Sequence, residues 1–309
     1  WPLLRVGFPQ LARDFYAHAG VQQLDSFAEL ELVEHRMADA SLRIEAPADT
    51  QALADLDPAL IMRAQHARRP IQQARLARRW CVTQWPTPAL AAQADMSLEQ
   101  YEQFLAGALF LNRPDPAGAW GRLSARQADL VARLVDAREI RIEAPGTDLR
   151  LRVDGRKWIN SDGRRNMPSG EVFTGPREDA AEGTIRFTVP SRHGGHAVDD
   201  VELKFVAGEV VDARAGHGQE YLDAALSADA GARRLGELGI GTNSGIDRAT
   251  GSTLLDEKMA GTVHLALGRS YPETGGENGS ALHWDLVCDL RSGGRLTVDG
   301  EVLDTLTAS

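Results

Sequence analysis

The sequence predicts two domains, an α/β domain over residues 1–137 and an α+β domain with an antiparallel sheet over residues 138–309. Two patterns support this prediction. Apolar residues recur at helical spacing in the first part, whereas short alternating runs typical of strands fill the second. A length of 309 residues with 43% hydrophobic content is enough to supply each domain with a packed core.

The first domain alternates helices with short strands. Helical spacing is found at 10–20, 51–68, 97–110 and 124–137, and Ser97 with Gln100 fits a capping box at the third of these. The predicted strands are LLRVGF (3–8), ASLRIEAP (40–47) and RWCVTQWPTP (79–88). This alternation predicts a largely parallel sheet.

The second domain begins where strand-like runs replace the helical pattern, near residue 138. Gly and Pro punctuate these runs as turn residues. One helix is predicted within them, over GQEYLDAALSADAGARRLGEL (218–238). The remaining runs predict an antiparallel sheet.

Composition narrows the possible partners. A formal net charge of −10 does not favour binding to nucleic-acid phosphates. Cys81 and Cys288 form no C-x-x-C pair, which argues against a disulfide framework and suits a reducing cytoplasm. No apolar run approaches the roughly 20 residues that cross a bilayer, so we expect a soluble cytoplasmic protein. The first residues, from Trp1 onward, resemble the interior of a domain, so we also expect a segment upstream of them.

His283 and Asp285 are the first candidate ligands for a metal ion, because they stand two residues apart in ALHWDLVCDL. On a strand, such residues project from one face. Imidazole nitrogen and carboxylate oxygen are ligands of hydrolytic Zn²⁺, Co²⁺ and Mn²⁺ sites. A half-exposed strand without a metal gives the same alternation, so the pair alone leaves both interpretations open.

Three further polar residues stand in apolar surroundings, namely His264, Glu171 and Glu237. A single histidine in an apolar run is more often a hydrogen-bonded core residue than a ligand. Buried carboxylates are costly unless a cation compensates their charge. A dication shared by these residues would stabilise all of them together.

Four segments that contain these residues resemble, in the same order, the signature segments of the M29 metallo-aminopeptidases, which include aminopeptidase T, aminopeptidase S and PepS-like enzymes. The segments are NMPSGEVFTGP (166–176), GARRLGELGIGTN (231–243), LLDEKMAGTVHLALGRSY (254–271) and NGSALHWDL (278–286). The run RWCVTQWPTPALAAQADMSLEQYEQF (79–104) is also similar to the family, so the resemblance covers nearly the whole chain.

The resemblance implies an M29-like fold in which the second domain is catalytic. The implied activity is removal of N-terminal residues from short peptides with a free N-terminus, through water activated by a dinuclear metal centre. Two divalent ions, of zinc, cobalt, manganese or magnesium, would be held by Glu171, Glu237, His264, His283 and Asp285. Family members also tend to form homodimers.

The resemblance also assigns roles within the centre. Glu237 would lie between the metals or act as the base, and Tyr271 would be a catalytic residue that stabilises the oxyanion. Glu257, seven residues before His264, is a further candidate ligand, although that spacing varies between members. Members carry roughly one more helix–strand–helix unit ahead of the position of Trp1.

Two other groups of residues have simpler interpretations. His193 and His196 flank a Gly-Gly turn, where solvated side chains are expected. A basic cluster beside Trp80 suggests a solvated face or an interdomain ion-pair network rather than a nucleic-acid site. Its members are Arg63, Arg68, Arg69, Arg75, Arg78 and Arg79.

Two alternatives to an aminopeptidase remain open on the sequence. One is a different two-metal amidohydrolase that acts on a non-peptide amide. The other is a catalytically silent protein with a structural metal, but such a site needs neither a base at Glu237 nor an oxyanion donor at Tyr271.

Overall fold

A computed structural model describes residues 2–303 of the chain. The helices are α1 (Pro9–His18), α2 (Val21–Leu24), α3 (Glu29–Met37), α4 (Pro58–Ala67), α5 (Arg69–Leu76), α6 (Pro88–Gln93), α7 (Leu98–Ala108), α8 (Pro116–Leu134), α9 (Gln219–Leu226) and α10 (Thr253–Asp256), with a 3-10 turn at Pro272–Thr274. Ser97 and Gln100 form the predicted capping box of α7. Side chains of Asp57, Thr87 and Asp115 cap α4, α6 and α8, each of which begins with proline.

The strands belong to three sheets. They are β1 (Ala40–Glu45), β2 (Arg79–Gln84), β3 (Glu139–Ala144), β4 (Thr147–Arg152), β5 (Ile159–Ser161), β6 (Asn166–Met167), β7 (Glu171–Thr174), β8 (Ala181–Phe187), β9 (Ser191–His193), β10 (His196–Val206), β11 (Glu209–His217), β12 (Leu235–Gly241), β13 (Thr262–Gly268), β14 (His283–Asp289), β15 (Arg295–Val298) and β16 (Glu301–Leu303). The first sheet is parallel, in the order β1-β2-β6. The other two are antiparallel, in the orders β11-β10-β8-β4-β3-β15-β16, with β9 on β10, and β14-β13-β12-β7-β5.

These sheets confirm the predicted fold class. The parallel pair of β1 and β2 lies within the predicted α/β part, and the antiparallel sheets follow residue 138. The boundary itself stays a prediction, because β6 completes the parallel sheet from beyond it and α8 contacts β5 and β7 from before it.

The five-stranded sheet is covered on both faces, since every residue of β12 and β13 is buried. One face joins a large apolar core that includes Leu238, Leu265, Trp284 and Leu286. The N-terminal half contributes to a second core, in which Tyr101 and other residues of α6 and α7 pack with Leu255, Met259 and Val287. The second face of the sheet therefore lies beneath the N-terminal half.

Two predicted elements are wrong. Residues 2–8 form neither helix nor strand, and the apolar side chains of 3–8 have no strand beside them; Leu3 and Leu4 are 70% and 84% exposed. The helix predicted over 218–238 ends at Leu226, and Leu235–Gly241 is strand β12. Three glycines disfavour a helix there, and pairing with both β7 and β13 decides the strand.

Two helices have boundaries that differ from those predicted. The helix predicted at 51–68 begins at Pro58, and the one predicted at 124–137 begins at Pro116. In each case an aspartate caps the helix and a proline is its first residue. Across residues 2–303, no helix combines the length and the apolar character needed to cross a bilayer.

Candidate metal centre

Five of the predicted ligands lie on one face of the five-stranded sheet. Glu171 begins β7, Glu237 lies on β12, His264 on β13, and His283 with Asp285 on β14. The strand register aligns Glu237 with Ala266 and Ala266 with Asp285, so these side chains share a face. The predicted i, i+2 arrangement of His283 and Asp285 on a strand is confirmed.

Small residues make room for the imidazole on this face. Gly239 pairs with His264 across β12 and β13. A Cβ at position 239 would lie 2.0 Å from His264 Cε1, far inside van der Waals contact. The ring of His264 therefore occupies space that any other residue at position 239 would fill.

A β-bulge places Glu237 in the site. Leu235, Leu238 and Ile240 belong to the large core, whereas Glu237 faces the other side. Strict alternation would put residues 235 and 237 on the same face. The register shift between Leu235 and Glu237 reverses the phase of the strand and turns the carboxylate toward the histidines.

Glu237 is the centre of the group. Its Oε1 lies 3.5 Å from His264 Nε2, and its Oε2 lies 3.6 Å from His283 Nε2. His264 Nε2 is also 3.3 Å from Glu171 Oε2, and His283 Nε2 is 3.6 Å from Asp285 Oδ2. The two carboxylate oxygens of Glu237 thus face two separate imidazoles.

Glu257 joins the same cluster, together with a residue that sequence reasoning missed. Lys258 is fully buried, contacts Glu257 Oε1, and places its Nζ 3.7 Å from Glu171 Oε1. A buried lysine is rare unless it is paired. The acidic pair Asp256–Glu257 directly before Lys258, in an otherwise apolar segment, is the signal that could have pointed to it.

The arrangement of donor atoms fits metal binding. There are three sets in which the donor atoms lie within 4.8 Å of one another. They are Glu171 with Glu237 and His264, Glu237 with His283 and Asp285, and Glu257 with His264 and Asp285. Within residues 2–303, Glu171 Oε2, His264 Nδ1 and Asp285 Oδ1 are buried and have no well-formed hydrogen bond. Buried polar atoms normally have partners, so these atoms fit the coordination of a cation.

Electrostatics supports the same conclusion. Burial raises the pKa of Glu237 and of Asp285 far above the ordinary carboxyl range, and the charge of Glu257 adds to the effect on Asp285. Burial alone would lower the pKa of His264, but its hydrogen bond with Glu237 and the charge of Glu171 raise it to about 10. The cluster therefore attracts positive charge, which dications could supply in place of protons.

The tautomer of a neutral His283 is set by the backbone. Its Nδ1 donates a 2.8 Å hydrogen bond to the carbonyl oxygen of Arg269. The lone pair of a neutral imidazole then lies on Nε2, the atom that faces Glu237 and Asp285. This is the orientation that a metal-binding histidine needs.

Tyr271 lies beside the histidine rather than within the donor sets. Its ring is edge-on to that of His283 at 5.2 Å between centroids, and edge-on to Phe173 at 5.6 Å. Burial raises the pKa of the Tyr271 hydroxyl well above its ordinary value, so this group stays a hydrogen-bond donor at neutral pH.

The family profile described as thermophilic metalloprotease (M29) matches residues 3–304 of the chain. The chain belongs to the M29 family. This M29 protein is 34% identical over 292 residues to aminopeptidase 2 of Geobacillus stearothermophilus, covering 84% of this chain and 70% of that protein. It is 31% identical over 252 residues to aminopeptidase T of Thermus thermophilus, covering 73% of this chain and 61% of that protein.

A solved structure supports the fold of this M29 protein. Wild-type AmpT from Thermus thermophilus superposes with a TM-score of 0.82 at 26% identity, covering 97% of this chain and 84% of that one. The two polypeptides therefore share the mixed architecture of a parallel sheet and antiparallel sheets. The predicted family and fold class are confirmed.

The two histidines that flank the Gly-Gly turn, His193 and His196, do not join the centre, but they are not simply solvated. His193 is half-buried, its Nδ1 lies 2.6 Å from the hydroxyl of Tyr221, and its ring stacks on Trp284 at 5.3 Å. His196 stacks on Tyr221 at 4.5 Å. The predicted solvated turn is wrong for these side chains, because the aromatic rings beneath the turn cover them.

Proposed function

We propose that this M29 protein is an aminopeptidase that removes N-terminal residues from short peptides with the help of two divalent metal ions. The observation that carries the proposal is the sharing of Glu237 between two donor sets, one with Glu171 and His264 and one with His283 and Asp285. A carboxylate that belongs to two three-residue sets suits a pair of neighbouring ions. Each ion would keep open positions for water or substrate.

The donor set limits which ions fit. Imidazole nitrogen and carboxylate oxygen suit zinc, cobalt and manganese, whereas magnesium prefers oxygen ligands and retained water. Glu257, which reaches His264 and Asp285, is proposed as a sixth ligand. When bound, the ions would polarise the scissile carbonyl and lower the pKa of a water molecule.

The residues of the chain would supply the remaining steps. Glu237 would either lie between the two ions or act as the base; in the second role its carboxylate, whose pKa is raised by burial, would accept a proton from water and pass it to the leaving amine. Tyr271, whose ring lies beside His283, would donate a hydrogen bond to the developing oxyanion. His283 would be held in the binding orientation by the Arg269 carbonyl.

Metal removal and reconstitution test the proposal. The purified chain is treated with a chelator, supplied with Zn²⁺, Co²⁺ or Mn²⁺, and assayed for metal content and for release of p-nitroaniline from an unblocked aminoacyl anilide. We expect two ions per chain and activity that returns with the metal. Turnover of N-acetylated amides alone would favour a different amidohydrolase, and bound metal without any turnover would favour a structural site.

The variant Glu237→Gln tests the proposed centre more sharply. It keeps the size of the side chain but removes the charged carboxylate that either role of Glu237 requires, so kcat should fall about 10²–10⁴-fold. Circular dichroism should remain that of the native fold. A variant with near-normal kcat would contradict the role of Glu237.

Location and assembly are part of the same proposal. The thiols of Cys81 and Cys288 are free, as suits a reducing cytoplasm. We propose a homodimer, on the basis of the family resemblance. Light scattering that reports a monomer at micromolar concentration would contradict the dimer without affecting the proposed chemistry.

A further inference from the structure

Helix α5 lies against the segment that follows His264 and leads to His283. The guanidinium of Arg69 donates a 3.1 Å hydrogen bond to the carbonyl of Gly279. Gln72 Oε1 accepts a 2.9 Å hydrogen bond from Arg269 Nη1. One turn further along α5, the side chain of Arg75 projects from the same face of the helix.

Arg75 differs from the other members of the basic cluster. Arg63 pairs with Asp25, Arg68 pairs with Glu31, and Arg78 bonds to a backbone carbonyl, whereas Arg79 is exposed. The half-buried side chain of Arg75 forms no ion pair with any of residues 2–303. Its Nη1 is buried without a hydrogen-bond partner in that part of the chain.

The surroundings of Arg75 leave its charge uncompensated. Its guanidinium packs over the ring of Trp80 at 5.2 Å, which supports the stem but provides no acceptor. The nearby carboxylate of Glu45 is paired with Arg43 at 3.2 Å. Burial lowers the pKa of Arg75, and the charges of Arg43 and Arg269 lower it further. A half-buried guanidinium without an ion pair would be stabilised by an anion that met its buried Nη1.

Arg165 serves as an internal comparison, because it packs over the same Trp80 ring at 5.7 Å. Its charge is met by Glu273 at 2.7 Å. Stacking on Trp80 therefore does not by itself explain why Arg75 has no acceptor. The guanidinium of Arg75 is therefore free to pair with an anion.

The unpaired charge lies next to the metal centre. The backbone carbonyl of Arg269 accepts the hydrogen bond from His283, and the Arg269 side chain reaches α5. Tyr271 follows two residues later, so the segment that α5 contacts also carries the residue whose ring lies beside His283. The side chain of Arg269, which donates a hydrogen bond to Gln72, forms no ion pair within residues 2–303 either, so two guanidiniums without ion pairs lie on this side of the centre.

We propose that Arg75, assisted by Arg269, binds the carboxylate of a di- or tripeptide on the leaving-group side of the scissile bond. This inference rests on the proposed aminopeptidase function and narrows its substrate class. A guanidinium can meet a carboxylate with two parallel hydrogen bonds. When the N-terminal carbonyl of a substrate is at the metal centre, its C-terminal carboxylate would reach Arg75 only if the peptide is short. The arginines would therefore favour short substrates.

The test compares matched peptides on the metal-loaded chain. Leu-Ala carries the terminal carboxylate, Leu-Ala-amide lacks it, and Leu-Glu-amide carries a side-chain carboxylate instead. We expect kcat/KM for Leu-Ala to exceed that for Leu-Ala-amide by about tenfold or more, mainly through KM, as for a hydrogen bond to a charged group. A preference for Leu-Glu-amide over both would assign the arginines to an acidic side chain and overturn the terminal-carboxylate proposal.

The variant Arg75→Met retains much of the apolar stem over Trp80 and removes the charge. The ratio of kcat/KM between Leu-Ala and Leu-Ala-amide should fall about tenfold, and Arg79→Met, at an exposed position, should leave the ratio unchanged. If Arg75→Met fails to fold, the same ratio is measured for Arg269→Met, and the same fall is expected. An unchanged ratio in the folded variant would overturn the inference, whereas failure of the native chain on every unblocked peptide would overturn the proposed function itself.

Discussion

Lys258 Nζ lies 3.7 Å from Glu171 Oε1, and both side chains are buried on the face of the sheet that carries the donor sets. The same ammonium contacts Glu257. Burial alone would lower the pKa of Lys258, but the charges of Glu171 and Glu257 outweigh it and raise that pKa. The chain therefore carries its own cation within the cluster of carboxylates.

Replacing Lys258 by Met should destabilise the chelator-treated protein. Removing one partner from a buried pair costs about 3–5 kcal/mol, which corresponds to a fall in Tm of roughly 10 °C. Added Zn²⁺ or Co²⁺ should restore part of the loss, because a dication replaces the missing charge. Thermal unfolding with chelator and with metal measures both effects, and Lys204→Met, at an exposed position on β10, is the control. Equal Tm values for Lys258→Met and the native chain in chelator would contradict the charge-balancing role.

Replacing Tyr271 by Phe should lower kcat about 10²–10³-fold with little change in KM, because the hydroxyl would act in the transition state. The ring would still fill the space beside His283 and Phe173. Steady-state kinetics on an aminoacyl anilide measures the effect, with Tyr16→Phe on α1 as the distant control. A large rise in KM at normal kcat would instead assign Tyr271 to substrate binding.

Replacing Gly239 by Ala should displace His264 from the centre, because the added methyl would lie 2.0 Å from the imidazole. Metal affinity should fall at least tenfold to a hundredfold, as for disruption of the groups that orient a ligand. Isothermal titration with Zn²⁺ or Co²⁺ measures the loss. Gly121→Ala on α8, where a Cβ meets no atom within 4 Å, is the matched control and should be slightly more stable than the native chain. Native affinity in Gly239→Ala would show that His264 is not a ligand.

Replacing Asp229 by Asn should loosen the segment that leads into His283. Asp229 accepts hydrogen bonds from Ala281 N at 2.7 Å, Ser280 Oγ at 2.8 Å and Gly231 N at 2.9 Å. Losing a charged acceptor at a half-buried position should cost about 1–3 kcal/mol at pH 7. Asp223→Asn, on the exposed side of α9, should cost less.

The effect of Asp229→Asn should depend on pH. Burial alone would raise the pKa of Asp229, but the hydrogen bonds from Ala281 and Ser280 lower it below its ordinary value of 3.8. The extra stability of the native protein over the variant is then fully present above the unfolded-state pKa of Asp229. It is lost as pH falls through the lower folded-state pKa. Urea unfolding of both proteins between about pH 7 and pH 3 should give a difference that narrows in acid. A difference that widens in acid would contradict the assignment.

The sequence by itself determined the local features of this protein. Period-2 alternation predicted that His283 and Asp285 share a strand face, and the capping residues Ser97 and Gln100 marked the start of α7. The ordered signature segments predicted the family, which the comparison over residues 3–304 confirms. These features depend on contacts between residues close in sequence, or on motifs that can be read directly.

Tertiary structure decided the rest, because the deciding contacts join residues far apart in the chain. The segment at 235–241 has helix-like neighbours in sequence, yet pairing with β7 and β13 makes it a strand, and a bulge after Leu235 turns Glu237 toward the site. Lys258 becomes part of the centre only when Glu171 is brought beside it. Arg75 differs from its neighbouring arginines only because packing buries its Nη1 away from any acceptor among residues 2–303. Burial in a low-dielectric interior strengthens the interactions between the charges that it encloses. Which charges are enclosed depends on the whole fold.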